Sequence, residues 1–163
     1  MNFLIGLGLL FAATLGGFAI SNGYKRRLNF LNDMDSFLGY MQGNCAFLQD
    51  SIKRVLVTQK AAYGDDFNKF LSEMLDNLDK REAFLGEWQT TQKIISSDEA
   101  KFVVEFFSNL GKLDSFTQID AIKNAKSSFE EKLQKSKELV NTKGTMSVKL
   151  GIIMGIGLFI ICV

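Results

Sequence analysis

The chain carries a run without charged side chains at each end, an arrangement that few soluble folds accept. From Met1 to Tyr24 no side chain is charged, and Phe3-Leu4-Ile5-Gly6-Leu7-Gly8-Leu9-Leu10-Phe11 continues through Ala12, Ala13, Leu15, Phe18 and Ile20. As a helix rising about 1.5 Å per residue this stretch is roughly 35 Å long, enough for a hydrocarbon core about 30 Å thick. A cleavable signal peptide would carry basic residues before the apolar stretch, and Met1-Asn2-Phe3 has none. The charges follow it, as Lys25-Arg26-Arg27. Basic residues beside a span stay on the cytoplasmic side, so these three residues set the expected topology: amino terminus outside, residues after Tyr24 inside.

At the other end Lys143 and Lys149 precede Leu150 to Val163, which are 14 residues without a charged side chain. They give only about 21 Å of helix, so a full crossing needs the segment from Thr145 onward, with Lys149 reaching back to the headgroups. Gly151 and Gly155 are spaced four apart, and so are Ala12/Gly16 and Ala13/Gly17 in the first span. Small residues at that spacing let helix backbones approach closely, which makes Gly16, Gly17, Gly151 and Gly155 the candidates for helix packing in the membrane.

Between the spans the pattern is helical throughout. Leu31, Met34, Leu38, Met41, Cys45, Leu48, Ile52 and Val55 follow one another at alternating steps of three and four, the period of a helix face packed on partner helices. Gly39 and Gly43 lie one turn apart on it and mark either a close crossing or a break. Cys45 occupies an apolar position of that series, so it reads as a small buried hydrophobe. Gly64-Asp65-Asp66 stops one helix and starts the next, which carries Phe67, Phe70, Leu71, Met74, Leu75 and Leu78. A short amphipathic stretch with Phe84, Leu85 and Trp88 follows. Ser96 and Glu99 have capping-box spacing ahead of a helix from Ala100 to Leu110. After Gly111 and Asp114 a long helix with Phe116, Ile119, Ile122, Phe129, Leu133 and Val140 runs toward the second span. With no strand alternation and only short connections, the expected fold is all-α. It is an up-and-down cytoplasmic helical bundle of about five to six helices, residues 24–144, between transmembrane helices at 1–23 and 145–163.

Composition excludes several chemistries. There is no histidine and no proline, and two cysteines, Cys45 and Cys162, are too few for a four-cysteine zinc site. The net charge of +1 lacks the basic surplus of a dedicated nucleic-acid binder. That near-neutrality hides segregation: residues 25–60 carry six basic and three acidic side chains, 65–99 four and nine, and 100–149 nine and six. The basic segments adjoin the membrane, where anionic headgroups favour them by about 1 kcal/mol per residue, and the distal segment is acidic. The acid pairs Asp65/Asp66, Asp76/Asp79 and Asp98/Glu99 sit where caps and exposed faces place carboxylates, and no glycine-rich loop has a lysine in Walker spacing. The expectation is a protein that is not an enzyme, with no cofactor, no metal and no small-molecule substrate.

Three local patterns go beyond amphipathicity. An uncharged span runs into Gly23-Tyr24-Lys25-Arg26-Arg27 and Leu28-x-x-Leu31; Phe106-Phe107-x-x-Leu110-Gly111-x-x-Asp114-x-x-x-Gln118-x-x-x-Ile122 follows; and Lys149-Leu150-Gly151-x-x-x-Gly155 leads the second span. In these the chain resembles the stage III sporulation protein AB family of endospore-forming bacteria, which look like one domain of the inner-membrane platform protein of type II secretion and type IV pilus systems. Near Met41 to Leu48 that family usually shows an acidic residue and a Thr-Pro-Leu turn, whereas Ala46-Phe47-Leu48 here has no proline.

The resemblance implies a scaffold in the mother-cell membrane, part of the channel complex joining mother cell and forespore. Its expected partners are the stage III sporulation protein AA ATPase, docked on the cytoplasmic side, and other stage III A membrane subunits, with homo-oligomers allowed. Leu110, Gly111, Asp114 and Gln118 are the candidate docking residues. They also have a purely structural reading, with Gly111 as helix stop, Asp114 as cap and Gln118 bonding back to it. A different class remains open: a two-span sensor with an extracytoplasmic helical bundle, which would require residues 25–149 outside and an output module after the second span.

Overall fold

The computed structural model describes residues 2–48, 52–59, 61–79, 93–109 and 115–162, and among them every regular element is helical. The all-α class is as the sequence predicts. In chain order the elements are α1 (Asn2–Leu48), α2 (Ile52–Gln59), α3 (Asp65–Asp79), α4 (Ser97–Asn109), α5 (Ser115–Leu139), a π-helical turn (Val140–Gly144) and α6 (Thr145–Cys162). Without proline nothing removes a backbone donor, and α1 runs unbroken for 47 residues. Gly39 and Gly43 do not interrupt it. At Gly39 a Cβ would stand 3.6 Å from Lys126 Nζ, an ordinary contact, and at Gly43 that space is open.

The chain folds into two compact units, one of residues 29–133 and one of 1–28 with 134–163. In the first, the stripe read from the sequence is the core: Leu31, Met34, Leu38 and Met41 of α1 are fully buried, with Phe67, Phe70, Leu71 and Met74 of α3 and Ile122 and Phe129 of α5. Phe30 and Phe37 are buried beside that stripe and widen it. Phe67 is the hub, its ring centroid 5.3 Å from Phe30, 5.8 Å from Phe37, 5.1 Å from Tyr63 and 5.4 Å from Phe70. Phe107 of α4 closes the cluster at 6.1 Å from Phe37 and 5.7 Å from Phe70. Three of these six pairs, Phe67 with Phe30, Phe67 with Tyr63 and Phe70 with Phe107, meet edge to face, the geometry that the aromatic quadrupole favours.

Local signals set the helix starts. Ser96 and Glu99 form the predicted capping box: Ser96 N–H donates to Glu99 Oε2 at 2.9 Å, and Glu99 N–H to Ser96 Oγ at 3.4 Å. At α3 the sequence assigns capping to Asp65 and Asp66, which do occupy the first turn. A third carboxylate, from α1, is added there: Gly64 N–H donates to Asp33 Oδ2 at 3.1 Å across 31 residues. Burial pushes the Asp33 carboxyl up from its ordinary range, partly offset by this hydrogen bond. The Tyr63 hydroxyl is raised as well, first by burial, then by the Asp33 and Tyr40 charges.

A raised carboxyl means that the folded chain holds its proton more tightly than the unfolded chain does. The stability that Asp33 contributes is therefore fully present below the ordinary carboxyl pKa and is lost as pH rises through the raised value. Asp33→Asn keeps an acceptor for Gly64 and removes the charge, so it should abolish this pH dependence without loss at neutral pH. Asp33→Ala should lose roughly 0.5–1.5 kcal/mol with the hydrogen bond. Thermal unfolding of the detergent-solubilised chain between about pH 4 and pH 8 separates the two, and equal losses in both variants would contradict the arrangement.

Candidate functional site: the seam between the two apolar helices

The second unit is built on apolar helices whose outer faces stay uncovered. Phe3, Leu4, Phe11, Leu15 and Ile20 of α1 are exposed, as are Ile153, Met154, Ile160 and Ile161 of α6. In a water-soluble core helix those side chains would be covered. α1 and the helical run Ile119–Cys162 that ends in α6 are long and apolar enough to cross a membrane, with mean hydropathies of 2.2 and 2.0 over their most apolar stretches.

Facing each other, the helices run antiparallel along a seam of small residues. A Cβ placed at Gly17 would lie 2.7 Å from Ser147 O and 3.3 Å from the Cα of Gly151. At Gly151 it would lie 2.9 Å from Ala13 O, and at Gly155 3.0 Å from Leu10 O. Real Cβ atoms do not approach backbone so closely, so only glycine permits this contact at Gly17 and Gly151. Farther along, Gly6 meets Phe159 and Cys162, Phe3 and Phe159 pack ring to edge at 5.6 Å, and Gly144 lies against Ser21 and Tyr24.

Of the four packing residues read from the sequence, Gly17, Gly151 and Gly155 lie in this seam. Gly16 does not: a Cβ there would meet nothing within 4 Å. The reason is rotational, because successive helix residues are about 100° apart and Gly16 faces away once Gly17 faces in. Gly6, Leu10, Ser21 and Gly144 complete the seam, and the sequence signal for them is that Gly6, Leu10, Ala13, Gly17, Ser21 and Tyr24 repeat at steps of three and four.

Lys25, Arg26 and Arg27 lie within α1, directly after its uncharged stretch, with Lys25 and Arg26 exposed. Leu110, Gly111 and Asp114 lie outside the described residues, as do Phe84, Leu85 and Trp88; Gln118 falls within α5. On α3, Asp65, Asn68, Lys69, Ser72, Glu73 and Asp76 line an open concavity of about 550 Å³ in the acidic part of the chain. Among the described residues no group of three or more His, Cys, Asp or Glu side chains is placed to hold a metal ion.

The family model of stage III sporulation protein AB matches residues 2–163, essentially the whole chain. The chain belongs to the stage III sporulation protein AB family. No curated protein and no solved structure matches it. Membership in the stage III sporulation protein AB family, with two exposed apolar helices, makes this a membrane protein of the third stage of sporulation. For such a protein a backbone-to-backbone seam joins the two apolar helices by packing, which is how helices associate in lipid, where apolar burial supplies no drive.

Proposed function

We propose that the protein is a non-enzymatic platform component of the channel complex between mother cell and forespore. It sits in the mother-cell membrane with a cytoplasmic bundle of five to six helices, which docks the stage III sporulation protein AA ATPase, and its spans adjoin other stage III A subunits. The observation that carries this reading is helical continuity: α1 continues 24 residues past Tyr24 to Leu48, and α6 is continuous through the π-helical turn with α5. An uninterrupted helix carries displacement along its axis, which is what coupling a nucleotide-driven motor to membrane subunits requires. The three basic residues after Tyr24 support the inward orientation, and Leu110, Gly111, Asp114 and Gln118 are the proposed docking residues.

Two measurements test it. Reporter fusions at Gly64 should give cytoplasmic signal, and extracytoplasmic signal would replace the platform by the sensor reading. The tagged full chain, captured from membranes of sporulating cells, should bring down the ATPase, and Gln118→Ala should lower its recovery while the chain stays membrane-inserted. Undiminished recovery removes Gln118 from the docking surface.

A further inference from the structure

We propose that the π-helical turn Val140–Gly144 is a register pivot: it locks the carboxyl-terminal span onto the amino-terminal one, and its relaxation to α-helix frees the span by rotating it one residue step. Thr145 N–H donates to both Thr142 O and Val140 O, and the second of these bonds closes five residues where an α-helix closes four. Leu139 and Thr145 on either side keep α-helical dihedrals, with φ of −63° and −66°. The helix thus does not stop at this turn but takes in one extra residue. Hydroxyls serve the carbonyls around it: Thr142 Oγ1 donates to Glu138 O at 2.6 Å, and Ser147 Oγ to Lys143 O at 2.7 Å. Such bonds re-satisfy a helix that departs from its regular ladder.

The extra residue answers a mismatch in phase. Phe129, Leu133 and Ser136 are buried at steps of four and three, and an unbroken α-helix would next turn inward positions 140 and 143. Position 143 is a lysine, and it is exposed. The buried residue is Gly144, followed by Gly151 and Gly155 in the seam. Eight residues separate Ser136 from Gly144, where a helix face repeats after seven; eight α-helical residues would leave Gly144 about 80° out of phase. The π-helical turn absorbs the difference, keeping Lys143 away from Ser21 and Tyr24.

Relaxation to α-helix would rotate α6 by about 100° relative to the helix before it. Leu150 and Met154 would then turn toward α1 in place of Gly151 and Gly155. They do not fit, because even a Cβ at Gly151 or Gly155 comes to 2.9 or 3.0 Å from backbone oxygen. The spans must therefore separate, so the contact has two discrete states, seated with the π-helical turn and open without it. A two-state element of this kind is what a force or partner acting on the helix can bias.

Cross-linking in the full chain tests this. A Cβ at Gly6 lies 3.2 Å from the Cβ of Cys162, close to disulfide geometry, so Gly6→Cys with Cys45→Ser reports a seated seam when membranes are oxidised. Deleting exposed Asn141 shortens the interval to seven, so a straight α-helix satisfies both faces: the cross-link should persist while heat-resistant spores are lost. Inserting an alanine after Asn141 should abolish the cross-link. A cross-link lost on deletion or kept on insertion overturns the register assignment. Normal sporulation with a persistent cross-link in the deletion variant overturns the pivot.

Discussion

Phe67→Ala should destabilise the bundle unit by about 3–5 kcal/mol, among the largest effects of any single truncation in the chain. The Phe67 ring is fully buried and meets four others, on α1, on α3 and on the turn before α3. Truncation removes the apolar transfer term and leaves a cavity among rings that cannot all close in, because Phe30 and Phe70 are also held at 5.6 Å from each other. Phe67→Leu refills part of that volume and should cost less. Phe11→Ala is the control, since Phe11 is 59% exposed and its truncation leaves no cavity. Unfolding in detergent followed by circular dichroism should rank them Phe67→Ala, Phe67→Leu, Phe11→Ala, and equal midpoints for the first and last would refute the hub.

What was legible in the sequence is what period and local spacing encode. Leu31, Met34, Leu38 and Met41 announce a buried face because four apolar residues at steps of three and four leave no other consistent placement. Ser96 and Glu99 announce a helix start because both partners of the reciprocal bonds lie within one turn. Phe30 and Phe37 lie outside that stripe, since a minimal stripe is narrower than a helix face packed on several neighbours. The Asp33 bond to Gly64 spans 31 residues, and no local pattern specifies which of several acids will reach a given amide.

The seam was half legible for a related reason. Ala12/Gly16 and Ala13/Gly17 carry the same spacing, and a helix alone cannot tell which pair faces its partner. That choice is made by α6, through the positions of Gly151 and Gly155. The π-helical turn left a trace that only burial makes readable: an interval of eight, from Ser136 to Gly144, in a face that otherwise advances by three and four. Leu110, Gly111 and Asp114 rest on resemblance, and lie outside the described residues.

Gly17→Ala and Gly16→Ala, one residue apart and identical in chemistry, should move stability in opposite directions. At position 16 the added methyl meets nothing, and alanine forms helix better than glycine, so the variant should gain up to about 1 kcal/mol. At position 17 the same methyl would stand 2.7 Å from Ser147 O. No side-chain rotation relieves that contact because the obstacle is backbone, and α6 must move outward as a body. Overpacking of this kind costs about 1–3 kcal/mol, against which the same helix-propensity gain is small. Gly151→Ala presses on Ala13 O from the other helix, and Gly17 and Gly151 are themselves in contact, so the two losses should not add. Once the first methyl has parted the helices, the second enters space already opened, and the double variant should be more stable than the sum of the single losses predicts. Thermal unfolding of the four variants in detergent, with the Gly6→Cys to Cys162 cross-link as a local probe, measures the coupling, and strict additivity would show that the two glycines do not share one seam.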